Sequence, residues 1–209
     1  MKASITRHIS YKRKYSLSEL YKAYLKIPRA LSTLMGNRRS KLIDQQFQER
    51  IMLAVTEVNG CAVCSYAHTK MALKQGMSRE EIVSLLSGED AFVKKEEAKA
   101  ILFAQHFAES RGYPDQETFE IIRKEYGAQK ARIILSAAQV IIVGNMYGLP
   151  FSALLSRKNG KPYEDSTIGF ELGLLITGVL VAPVAFIHSS LLWILSNFLP
   201  DKGISESEA

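Results

Sequence analysis

The stretch EVNGCAVCSYAH, residues 57–68, holds both cysteines of this 209-residue chain and one of its four histidines. Residues of these types so close together support a dithiol–disulfide couple with its own base, a fragment of a metal site, or two buried thiols that do nothing. At roughly 100° per residue, Cys61, Cys64 and His68 fall within about 60° of arc on one face of a helix. Asn59-Gly60 reads as a helix stop, so Cys61 is expected in the first turn of a new helix. Free backbone N–H groups and the helix dipole favour a thiolate there, whereas a free thiol of pKa about 8.5 stays mostly protonated at neutral pH. His68, four residues after Cys64, is placed to take or relay its proton.

A relay also needs a carboxylate. Glu49 lies in QFQERIMLAV, with apolar neighbours on several sides. If its helix packs on the cysteine helix, Glu49 can orient His68 or accept its proton. The alternative is a surface carboxylate pairing with Arg50 or a lysine. Glu57 is closer in sequence but sits at a helix end, where exposure is expected.

The other readings of the pair have their own demands. A closed zinc site needs four ligands, and His8, His106 and His188 form no second ligand pair. Covalent haem requires C-x-x-C-H, and Ser65 occupies the histidine position. Two inert buried thiols remain open, since free cysteine is often simply buried. His106 falls in an apolar helical stripe and reads as a core or interface residue. His188 reads as a hydrogen-bonded packing residue, and Tyr66 and Tyr147 as candidates to line a pocket.

The elements that must position these residues are helical almost throughout. Ser16-Leu-Ser-Glu19 has capping-box form and opens a helix expected to stop near residue 26, before Pro28. Ser40 is expected to cap a second helix that Asn59-Gly60 ends. The cysteine helix should run to Gly76, and Ser78 opens another that Gly88 closes. Residues 96–111 and 115–126 follow as two amphipathic helices ending at Gly112 and Gly127. Residues 128–147 are apolar nearly all round, the mark of a buried central helix. No alternating strand pattern occurs, so the fold class is all-α, a compact multi-helix domain with a hydrophobic C-terminal helical tail.

Composition is ordinary for a globular chain, with 47% hydrophobic and 23% charged residues. Two cysteines are too few for a disulfide framework, and residues 1–15 are basic without an apolar signal segment, so a reducing cytoplasm is the default setting. There a C-x-x-C pair points to redox or metal chemistry. The net charge of +6 is concentrated in residues 1–50, with twelve Lys/Arg against three acids. With no aromatic-interleaved basic stripe and no helix-turn-helix cue, nucleic acid is not an expected partner.

The domain reading is a basic segment 1–15, a helical redox domain 16–156, a basic linker 157–168, a hydrophobic tail 169–200 and a polar end 201–209. Residues 172–200 contain no Asp, Glu, Lys or Arg, and about 20 apolar residues cross a bilayer. Basic residues before the run and acidic ones after it would leave the main domain cytoplasmic, anchored through 172–199, with Trp193 at the far interface. Pro183, His188 and Ser189-Ser190 support the alternative of two helices buried in the core or at a subunit interface.

The spacing Glu49-x11-Cys61-x-x-Cys64-x3-His68, with Asn59-Gly60 before it and Gly76 after, resembles the alkyl hydroperoxidase D branch of the carboxymuconolactone decarboxylase-like superfamily. The resemblance covers roughly residues 20–150. It implies an all-helical fold that assembles as a trimer or higher homo-oligomer and reduces hydroperoxides through the cysteine pair. No bound cofactor is implied; electrons would come from an external dithiol, such as a dihydrolipoyl protein. Carried over by position, Cys64 is the peroxidatic thiolate, Cys61 resolves it to a Cys61–Cys64 disulfide, and His68 and Glu49 move protons. Val63 departs from the pattern, since the best-known members carry a histidine between the cysteines. Helix-dipole reasoning instead favours Cys61 as the lower-pKa thiol, which leaves Cys64 for peroxide and Cys61 for exchange with the reductant. A decarboxylase of the same superfamily and a membrane-tethered redox sensor or scaffold stand as alternative functions.

Overall fold

The computed structural model describes residues 9–198; His8, the rest of 1–8, the segment 199–209 and the side chains of Trp193, Ser196, Asn197 and Phe198 lie outside the described residues. Among the described residues there are seven helices and no strands. They are α1 (Leu17–Ser40), α2 (Gln45–Asn59), α3 (Ala62–Lys74), α4 (Arg79–Leu86), α5 (Ala98–Glu109), α6 (Gln116–Lys158) and α7 (Ile168–Phe198). The all-α expectation and the long apolar C-terminal helix are both met.

Local signals set most boundaries. Ser16 and Glu19 close a reciprocal capping box at the start of α1, and Ser78 caps α4 through the Glu81 N–H. Gly60 ends α2 in the left-handed region that glycine enters without a steric cost. Two expectations fail. Pro28 does not end α1, which continues to Ser40. A proline costs a helix interior about 3 kcal/mol, yet Leu20, Tyr24, Ile27, Ala30 and Leu34 bury one face of α1 on either side of it. That burial is worth about 1.5–3 kcal/mol per large apolar side chain and outweighs the break. Ser40 is the last residue of α1 rather than the cap of α2; Asp44 caps α2, accepting from the Phe47 N–H at 2.7 Å.

α6 is the spine. It packs on α1, α2, α3, α5 and α7 and buries Ile133, Ile134, Ile141, Ile142, Met146 and Leu149. The expected break at Gly127 is present as a single non-helical residue (φ 75°, ψ 158°) joining two helical stretches. A smaller cluster of Leu53, Ala72, Met77, Ile82 and Leu85 fixes α4 beneath α2 and α3. Between α2 and α4 the buried Arg50 meets Glu81 at 2.6 Å and Glu97 at 3.2 Å.

α6 and α7 are both long and apolar enough to cross a membrane. α6 is mostly buried by protein and α7 is mostly not. α7 nevertheless lies docked on α1 and α6. A Cβ on Gly178 would approach Tyr147 Oη to 2.5 Å and Leu20 to 2.9 Å, so the helices meet backbone to side chain there. Tyr24 Oη donates to the Gly178 carbonyl, Ser189 Oγ to the Leu25 carbonyl at 2.8 Å, and Tyr21 Oη pairs with His188 Nδ1 at 2.8 Å. The hydrogen-bonded packing role expected of His188 is thus observed, on an exposed ring.

Arg157 fixes the start of α7, donating to both carboxylate oxygens of the fully buried Glu171 at 2.9 and 2.7 Å. These hydrogen bonds hold the Glu171 carboxyl below its ordinary range. A depressed carboxylate contributes stability that is complete above the unfolded-state pKa, about 4.3, and is lost as pH falls through the folded value. Thermal melts should therefore show wild-type stability declining below about pH 4.5. Glu171→Gln should be less stable at neutral pH and show a weaker decline, and identical pH profiles would refute the role of this pair.

Candidate active site

Cys61 is the N-cap of α3, one residue earlier than a place in the first turn. Its Sγ accepts from the Cys64 N–H at 3.3 Å, as a serine or aspartate oxygen does in a cap. Cys61 and Cys64 are joined as a disulfide, with Cα atoms 5.3 Å apart. Cys61 has no exposed surface, whereas Cys64 retains 7%. Cys64 is thus the slightly more exposed residue of the two.

His68 lies one turn beyond Cys64 on α3, and its Nδ1 is 2.7 Å from Oε2 of Glu49. Glu49 is buried on α2, with an exposure of 5%. A carboxylate acceptor fixes the proton on Nδ1 and leaves the Nε2 lone pair as the base. The alternative placements of the acids are resolved too. Arg50 pairs with Glu81 and Glu97 instead of Glu49. Glu57 is held by Lys12 at 2.9 Å, beside the Gly60 turn and away from the histidine.

α6 supplies the floor of the site, which sequence reasoning did not anticipate. A Cβ on Gly148 would stand 2.4 Å from both sulfurs, so only glycine lets α6 pass this close. The Gly144 carbonyl lies 3.6 Å from Cys64 Sγ. Ser152 Oγ accepts from the Val63 N–H at 3.2 Å and donates to the Gly148 carbonyl at 2.6 Å. The signal was present as small residues at four-residue intervals, 144, 148 and 152, in the sequence of α6. Such spacing marks one face where another backbone comes close.

Beneath the Gly60 turn is a buried polar chain. Tyr15 Oη donates to Asn59 Oδ1 at 2.7 Å, Asn59 Nδ2 to Asn145 Oδ1 at 2.9 Å, and Asn145 Nδ2 to Thr56 Oγ1 at 3.2 Å. It ties the end of α2 to α6 two residues before the cysteine cap. Asn145→Ala strands Asn59 Nδ2 and Thr56 Oγ1 without water. A loss of about 2–3 kcal/mol in chemical denaturation is expected, and a loss under 1 kcal/mol would mean that the chain is not structural.

The remaining candidates do not converge here. Tyr66 is exposed, its ring 4.4 Å from Lys70 Nζ. Tyr147 faces α1 and α7, paired with Tyr24. His106 is only half-buried and meets Asp115 at 3.2 Å, so it is not a core residue; the buried face of α5 is formed by Ala100, Phe103, Ala104 and Phe107.

Comparison with curated proteins and with solved structures finds no match. The model of the carboxymuconolactone decarboxylase family matches residues 26–106. That span includes Glu49, Cys61, Cys64 and His68, and excludes the α6 floor and α7. The segment that carries the dithiol and its histidine is therefore similar to the carboxymuconolactone decarboxylase family.

Proposed function

We propose that the protein is a thiol-dependent peroxidase that reduces organic hydroperoxides and is recharged by an external dithiol. The observation that carries this reading is the Cys61–Cys64 disulfide on the same helix as a histidine oriented by a buried carboxylate. In the reduced state the Gly144 carbonyl, 3.6 Å from Cys64 Sγ, is placed to accept the Cys64 thiol proton as a hydrogen bond. His68 Nε2 takes that proton, and the Cys64 thiolate attacks the distal peroxide oxygen. The O–O bond breaks, Cys64 becomes a sulfenic acid, and the alkoxide takes the proton from His68 to leave as an alcohol. The Cys61 thiol then attacks Cys64 sulfur, its proton passing to the departing hydroxyl, which leaves as water as the disulfide forms. A dithiol donor closes the cycle by attack on Cys64 Sγ, expelling Cys61 as thiolate, and its second thiol releases Cys64. The net change is one hydroperoxide and one dithiol converted to alcohol, water and a cyclic disulfide.

Stopped-flow mixing of reduced protein with an alkyl hydroperoxide, followed by thiol titration, tests this directly. Two thiols per chain should disappear, and Cys64→Ser should abolish the reaction. His68→Gln should slow it by roughly 10²-fold or more, the usual contribution of a positioned base. Lactone decarboxylation retained in a Cys61→Ser/Cys64→Ser variant would replace this reading with a decarboxylase. Oxidation by disulfide reagents but never by peroxide would make the pair a redox sensor.

We further infer that the exposed face of α7 is covered by a second copy of the chain and that the docked helix does not span a membrane. Support comes from the position of α7 beside the charged helix α1. Light scattering and vesicle flotation of the full chain separate the two outcomes.

A further inference from the structure

We propose that Ser152 is a positioning residue that restrains the reactivity of the dithiol by withholding one helix-terminal N–H group from Cys61. The inference rests on the redox reading above. An N-cap side chain draws on the N–H groups two and three residues ahead of it. For Cys61 these belong to Val63 and Cys64. The Cys64 N–H donates to Cys61 Sγ, but the Val63 N–H is turned to Ser152 Oγ on α6.

The serine is committed in both directions. Its hydroxyl proton goes to the Gly148 carbonyl at 2.6 Å, which leaves the oxygen lone pairs facing Val63. Ser152 is buried, so bulk water does not compete for that N–H. The carbonyl that takes its proton belongs to the glycine against which both sulfurs rest. The hydroxyl and the disulfide therefore sit on the same face of α6, and Ser152 diverts a donor that is within one residue of the sulfur pair.

This matters only when the pair is reduced. The disulfide takes up two electrons and two protons from a dithiol, which becomes a cyclic disulfide. Cys61 is the sulfur expelled in that exchange, and N–H donors stabilise its thiolate. A second donor would make Cys61 a better leaving group and the disulfide easier to reduce. It would also make Cys61 a weaker nucleophile toward the Cys64 sulfenic acid, since thiolate nucleophilicity falls with pKa. Ser152 keeps Cys61 on the nucleophilic side of that balance.

The test uses the full chain with Cys64→Ser, in which Cys61 is the remaining thiol, and compares it with Cys64→Ser/Ser152→Ala. Thiolate absorbance is titrated against pH with no peroxide present, so the result stands whether or not the protein is a peroxidase. The added substitution should lower the Cys61 pKa by about one unit. In the two-cysteine protein, at a pH above the Cys61 pKa of both forms, Ser152→Ala should shift the equilibrium with dithiothreitol about tenfold toward the protein dithiol, and Ser152→Thr, which keeps the hydroxyl, should restore the wild-type value. Titration curves that coincide, or a Thr variant that behaves like Ala, would overturn the proposal. A lowered melting temperature with an unchanged thiol pKa would likewise assign Ser152 a purely structural role.

Discussion

Gly148→Ala should leave the protein unable to close its disulfide. Its new methyl carbon would sit 2.4 Å from each sulfur, well inside contact distance, and the atoms it meets are not the ends of flexible chains. α3 is held to α6 at this point by the Val63–Ser152 bond, and the opposite side of Cys61 is core. Relief therefore requires moving the N-terminus of α3, and with it Cys61, Cys64 and the line between Cys64 and His68. Thiol titration of air-exposed protein should find two free thiols per chain where the wild type has none. Peroxide-driven oxidation should fall by about 10²-fold, the scale expected for a displacement near 1 Å at the reacting atoms. Gly144→Ala, one turn earlier on the same helix, is the control. Its Cβ would meet nothing nearer than Ile141 Cδ1 at 3.7 Å, and alanine is favoured over glycine in a helix by about 1 kcal/mol. That variant should be at least as stable as the wild type and should retain its disulfide. A Gly148→Ala protein that oxidises at the wild-type rate would show that α6 is not the floor of the site.

The contrast between these two glycines marks where the sequence was legible. Capping residues act within four positions, so Ser16, Gly60 and Ser78 announced their helix ends in the chain itself. The face shared by Cys61, Cys64 and His68 follows from helix geometry alone, and the Glu49 partner from the eleven-residue spacing that the resemblance supplied. Pro28 misled because the force that overrides it is burial against α6 and α7, more than a hundred residues away in sequence. Asp44 displaced Ser40 as a cap because α1 runs on past the proline and uses Ser40 itself. Gly148 and Ser152 were illegible for a similar reason. Ser152 meets Val63 across 89 residues, and nothing local distinguishes a glycine that receives a disulfide from one that merely loosens a helix. The basic surplus in residues 1–50 also acquires a physical use only in three dimensions, where Lys12 covers the Gly60 turn and holds Glu57.

Replacing Ile176 and Leu180 together by glutamate should convert the protein from an oligomer to a monomer without unfolding it. Both side chains are more than half exposed, so the substitution spares the packed face formed by Leu174, Gly178 and Ala185. They belong to a stripe that includes Leu172, Val184, Ile187 and Leu191, all exposed. The residues recur at helical spacing along one face, and a contiguous exposed apolar face of this kind marks an interaction surface. A bilayer would also cover it, but α7 in its docked position runs beside α1, which carries Lys22, Lys26 and Arg29. Spanning would draw those charges into hydrocarbon or tear α7 away from Tyr21, Tyr24 and Leu25. The opening at Gly178, which only a glycine fits, would then be vacated as well. A second copy would cover the stripe with every one of these contacts intact, and a stripe that pairs with itself would close into a two-fold assembly. Light scattering in detergent-free buffer should give a dimer or a multiple of it for the wild type and a monomer for the double variant. Circular dichroism should report the same helix content for both. A wild-type chain that is monomeric, or that floats with vesicles and loses this on the same substitution, would assign the stripe to lipid and place the redox site at a membrane surface.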